Sequence, residues 1–88
     1  MASNERVKIF MSSAVMKALD YKKANPRAEA EEIFQHIMRE IPARGIEKAA
    51  SIAAVDKAIR YKEFDKLSDR DALQKVMLEF DDILGIVD

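Results

Sequence analysis

Apolar residues recur along this chain at every third or fourth position, and no stretch alternates at every second. A period near 3.6 is the period of an α-helix face, whereas a half-buried strand needs a period of two. The pattern therefore predicts an all-α fold. Only two glycines and two prolines interrupt it, so the helices are few and long.

The first apolar stripe, Val7, Phe10, Met11, Ala14, Val15, Ala18 and Tyr21, predicts a helix over about 5–24. Asn25-Pro26 then reads as an N-cap followed by a proline at the first helical position, which predicts a second helix over 26–41. Its stripe is Ala30, Ile33, Phe34, Ile37, Met38 and Ile41, and its early glutamates suit the positive end of the helix dipole. Pro42-Ala43-Arg44-Gly45 is a breaker, followed by an Ala-rich helix over about 46–66. That third helix is apolar over much of its circumference, which places it between neighbours. Ser68 with Asp71 three residues later is a capping pattern that opens a fourth helix over 69–84. Leu73, Val76, Met77, Phe80, Ile83, Leu84 and Val87 form its stripe, and Gly85 reads as its left-handed stop.

Ala14-Val15-Met16-Lys17-Ala18-Leu19-Asp20-Tyr21-Lys22 and Ala54-Val55-Asp56-Lys57-Ala58-Ile59-Arg60-Tyr61-Lys62 stand forty residues apart and are identical at six of nine positions. The same offset sets Ile33 against Leu73 and Ile37 against Met77. Self-similarity at this period is how stacked helical hairpins look in sequence, because one hairpin has an apolar face it cannot bury alone. The expected architecture is a single domain, 1–88, in the form of a four-helix bundle of two similar αα-hairpins, 5–41 and 46–84. Ala14, Val15, Ala18, Ile33, Ile37, Val55, Ala58, Leu73, Val76, Met77 and Phe80 are the expected core.

Fifteen basic and sixteen acidic residues leave a net charge of −1, so no global field draws the chain to nucleic acid or to an anionic membrane. No apolar run approaches the ~20 residues of a membrane span, and Met1-Ala2-Ser3-Asn4-Glu5 lacks the layout of a signal peptide. There is no cysteine, hence no disulfide framework and no thiol nucleophile, and a cytoplasmic location is the expectation.

The sequence carries no enzymatic constellation. The single histidine, His36, has Glu29, Glu32 and Glu40 nearby on the same helix, but the group flanks the apolar stripe, and the residue three before His36 is Ile33, so Glu-x-x-His is absent. A plain surface histidine, with no metal and no cofactor, is expected. Asp81 and Asp82 are adjacent on a helix and point ~100° apart, so they cannot converge on one substrate atom. No Gly-rich phosphate loop is present.

What remains is apolar surplus. Ile9 and Met16 lie seven residues apart on the back of the first helix, and Ile52 lies on the third. These three residues are expected to contact a protein partner or a second copy of the chain, with a symmetric homodimer as the default. The function expected is a non-enzymatic helical protein–protein interaction module, an adaptor or small regulatory protein. The alternative is a weak nucleic-acid contact through Tyr21, Lys22, Lys23, Arg27, Arg60, Tyr61 and Lys62 at the hairpin ends, disfavoured because Asp20, Glu63 and Asp65 dilute the charge.

Overall fold

The computed structural model describes residues 4–87. Five helices follow one another: α1 (Asn4–Ala24), α2 (Ala30–Glu40), α3 (Gly45–Glu63), α4 (Asp69–Leu78) and α5 (Phe80–Val87), with no strand among the described residues. The readings made of Met1-Ala2-Ser3 and of the Val87 side chain lie outside what is described.

The all-α expectation holds, and four boundaries move. Pro26 does not open a helix. The Ala28 amide donates to the Asn25 carbonyl at 2.9 Å, so Pro26 is the second residue of a tight turn, a position for which its fixed φ is equally suited. Asn25 closes α1 instead, its amide and its side-chain Nδ2 both donating to the Tyr21 carbonyl. The third helix stops at Glu63, where the chain turns away: Lys66 adopts φ 58°, and the Leu67 amide reaches back to the Tyr61 carbonyl at 3.2 Å.

The fourth predicted helix is broken at Glu79. There the amide turns to the carbonyl of Val76, three residues back, and α5 begins one residue later. Gly85 is not a left-handed stop; it lies inside α5 with no positive φ. Gly45 is the glycine that uses its freedom, at φ 58°. The cap of α4 follows the sequence reading, with Ser68 Oγ accepting from the Asp71 amide at 3.1 Å.

Directions follow from the side-chain links. Arg6 meets Glu47 at 2.8 Å and Lys22 meets Glu63 at 3.9 Å, so α1 and α3 run parallel. Tyr21 bonds Glu32 and Lys17 meets Glu40, so α2 runs back along α1. Lys62 meets Asp69 and Lys57 meets Glu79, so α4 runs back along α3.

The α1/α3 contact is the most extensive in the molecule, and α2 and α4 each touch both of these helices. No contact of comparable extent joins α2 to α4, so the two flank the central pair from opposite sides. Small side chains permit this intimacy. Ala14 and Ala18 of α1 and Ala50, Ala54 and Ala58 of α3, spaced by four, are fully buried and let the two backbones approach.

Around that seam Val7, Met11, Val15, Ile33, Ile37, Val55, Val76 and Ile83 are almost wholly enclosed, each stabilising the fold by ~1.5–3 kcal/mol through burial. Of the expected core, Leu73 and Met77 are half-buried and pack on its edge. Among the described residues, two polar ones also lie inside. Ser51 Oγ donates to the Glu47 carbonyl at 2.7 Å, and the Glu47 carboxylate is paired with Arg6, although Oε2 has no hydrogen bond of good geometry.

Candidate functional site

The face of α1 opposite the core is where the apolar surplus comes to the surface. Val7, Met11, Ala14, Val15 and Ala18 turn one side of α1 inward, and at ~100° per residue Ile9 and Met16 fall on the other. Ile9 is 65% exposed and Met16 55%. Met16 is also one wall of a cleft between α1 and the start of α4, whose other walls are Leu19, Asp20, Asp69, Arg70 and Leu73.

Ile52 is half-buried. It shares a flank of α3 with Ile59, which lines a groove with Ile33 on the α2 side of the molecule. Ile9 and Met16 thus share one line, while Ile52 lies toward the opposite flank. Two large apolar residues that the sequence reading passed over are more exposed still: Phe64 at the end of α3, 77%, and Leu78 at the end of α4, 87%. Neither falls on its helix's apolar stripe, which is the same off-stripe signal that singles out Ile9 and Met16.

The residues of the nucleic-acid alternative separate. Lys22, Arg27 and Arg60 line the groove of Ile33 and Ile59 together with Glu29, Asp56, Glu63 and Phe64. Within it Lys22 donates to the Ala28 carbonyl at 2.8 Å and Arg60 pairs with Asp56 at 3.1 Å. Tyr61 and Lys62 face α4, where Lys62 holds Asp69 at 2.7 Å. Lys23 and Arg27 are exposed. Because α1 and α3 are parallel, their negative dipole ends lie at one end of the molecule, and Lys22, Lys23, Arg60 and Lys62 sit in those last turns, where cations are stabilising.

Both tyrosine hydroxyls bond carboxylates. Tyr21 donates to Glu32 at 2.5 Å, and that bond, foremost, holds its hydroxyl above the usual phenol range. His36, expected as a plain surface residue, is half-buried and stacks on the Tyr21 ring at 4.3 Å between centroids. Tyr61 donates to Glu79, which also accepts from Lys57 at 3.3 Å, while Lys75 lies 4.5 Å over the Tyr61 ring. Burial first, and then Glu79, push Tyr61 up to about 12. The bond from Tyr61 outweighs burial and, with Lys57, holds Glu79 below the usual carboxylate range.

These clusters tie one helix to the next. Tyr21 and Glu32 fasten α2 to α1, and Tyr61, Lys57 and Glu79 fasten the α4/α5 break to α3. Among the described residues no group of three or more histidine, aspartate or glutamate side chains is placed to hold a metal, and Glu32 is engaged by Tyr21. No helix of the described residues is long and apolar enough to cross a membrane. Compared with family models, with curated proteins and with solved structures, the chain matches none.

Proposed function

We propose that this chain is a non-enzymatic helical interaction module, an adaptor or small regulatory protein of the cytoplasm, that acts by presenting the outer face of α1 to a protein, a second copy included. The exposure of Ile9 and Met16 on one line of α1, beside the cleft at Leu19 and Leu73, is the observation that carries this reading. The proposed location rests on the lack of cysteine, which small domains of oxidising compartments ordinarily use as disulfides.

Two similar hairpins, 5–41 and 46–84, arising by duplication, belong to the same reading. In its support, the two links between α1 and α3, Arg6 to Glu47 and Lys22 to Glu63, each span 41 positions, close to the forty-residue offset of the sequence repeat. Tyr21 and Tyr61, equivalent in that repeat, each bond a glutamate beyond their own helix, although not equivalent ones.

Absolute molar mass by light scattering across a concentration series tests self-association, the step being from 10.0 kDa to twice that value. Association through this face is abolished by Ile9→Asp and by Met16→Asp; association that survives both refutes it. The nucleic-acid alternative is weaker, because Lys22, Arg60 and Lys62 are committed to intramolecular partners. An electrophoretic shift at low salt would restore it.

A further inference from the structure

We infer that the partner of the α1 face is a second copy of this chain, docked antiparallel about a two-fold axis beside Ser12 and Ser13, with Ile9 of each copy entering the Met16–Leu19–Leu73 cleft of the other. This rests on the reading of that face as an association surface and specifies its occupant.

The outward line of α1 reads Glu5, Ile9, Ser12 and Ser13, Met16 and Asp20, a three-and-four spacing that keeps all of them on one strip. Its two apolar residues are equidistant from its centre. Ile9 and Met16 each lie ~5 Å along the axis from the midpoint between Ser12 and Ser13, at 1.5 Å per residue. An antiparallel copy centred there sets Ile9 over Met16 twice, once in each direction, as a closed two-fold contact requires. Small serines at the crossing keep the helices close. The cleft beside Met16, about 230 Å³ and mainly apolar, is smaller than the ~300–1,000 Å³ of ordinary small-molecule sites and is of the scale of a side chain.

Arg70 offsets the charge that the antiparallel sense brings together. Glu5 and Asp20 sit ~11 Å on either side of the centre, so this docking brings Glu5 of one copy beside Asp20 of the other. Two carboxylates alone would repel, but Arg70 lies on the cleft wall with Asp20 and forms no ion pair among the described residues. Asp69, the other acid of the cleft, is already held by Lys62. Arg70 therefore faces the arriving Glu5, and symmetry makes the pair twice. A parallel copy would instead stack Glu5 on Glu5 and Asp20 on Asp20.

A contact confined to one helix face and the start of α4 belongs to the small, weak class of interfaces, with a dissociation constant of roughly 1–100 µM. Sedimentation equilibrium of the full chain and its variants tests the arrangement. Arg70→Glu and Glu5→Arg are each expected to weaken the dimer about tenfold or more, from two reversed pairs, and the double variant Glu5→Arg/Arg70→Glu to recover it to within about threefold. Because the chain has no cysteine, single cysteines report proximity cleanly. Ser12→Cys or Ser13→Cys should link to itself on mild oxidation, and Glu5→Cys should link to Asp20→Cys rather than to itself.

Self-linking at Glu5→Cys, or a dimer lost with Ile9→Asp but indifferent to the Arg70 and Glu5 reversals, overturns the antiparallel docking and leaves the α1 face standing. A strict monomer at millimolar concentration also overturns it, the face then serving a different protein. A dimer indifferent to Ile9→Asp and Met16→Asp overturns the docking and the proposed function together.

Discussion

Removing one oxygen atom, in Tyr61→Phe, tests how α4 and α5 are fastened to α3. The ring stays, and with it the packing on the core edge and the Lys75 contact, so only the hydroxyl's bond to Glu79 is lost. A hydrogen bond to a charged group contributes ~1.5–3 kcal/mol, and a half-buried site that leaves Lys57 on Glu79 belongs at or below the lower end. The titration of Tyr61 points the same way, but its rise from 10.0 to about 12 is caused first by burial and only then by Glu79, so the bond itself is set at roughly 1–2 kcal/mol from the hydrogen-bond scale alone. For a domain of this size that lowers Tm by about 5–15 °C at pH 7.

The pH dependence has two limbs. Tyr61 titrates higher when folded than when unfolded, so its contribution is complete below pH 10 and is lost as pH rises through about 12. Glu79 titrates lower when folded, so its contribution is present above the ordinary value of 4.5 and is lost as pH falls through the depressed one. Urea denaturation from acid to alkali should therefore show the parent most superior to Tyr61→Phe between about pH 5 and 9, with the gap closing on both sides. Equal stability at pH 7, or a gap that does not change with pH, would refute the argument.

The two glycines separate by substitution. Gly45→Ala meets no steric obstacle but must hold φ 58°, a loss of about 1–2 kcal/mol, whereas Gly85→Ala sits in open space in a helix and should gain roughly 0.5–1 kcal/mol. A destabilised Gly85→Ala in thermal melts would show that this glycine is the left-handed stop after all. Lys66→Gly relieves a left-handed lysine and is expected to stabilise by about 1 kcal/mol; a loss would mean that the lysine side chain supports the α3 end. Ile37→Ala, at 1% exposure, should cost about 2–5 kcal/mol, against less than ~0.5 kcal/mol for Ile9→Ala, and comparable losses in urea would contradict the burial described.

Much of the architecture was legible because helical periodicity is a local property. The stripes of α1 and α2 and the capping role of Ser68 depend on residues within a turn or two of each other. The misplaced boundaries share a cause as well. Pro26 fits a turn and a helix start equally, and the choice fell to Ala28, which is buried and whose carbonyl Lys22 holds. Lys66 carries no sign of a left-handed conformation in its residue type. The break at Glu79 depends on Tyr61, eighteen residues away, and on Lys57, twenty-two away, beyond the reach of any local pattern.

The candidate surface divides in the same way. That Ile9 and Met16 point away from the core follows from spacing along α1 alone, and so does their alignment with Glu5 and Asp20. That the strip borders a cleft completed by Leu73 and Arg70 of α4, while Ile52 lies toward the other flank, follows from which helices flank which. By itself, then, the sequence determined the helices and the inward face of each, since a 3.6-residue period is set by bonds within the chain's own turns. The parallel α1/α3 seam, the burial of Glu47 and the neighbours of Met16 were decided only by tertiary structure, because alanines spaced by four permit close approach without naming the helix that makes it.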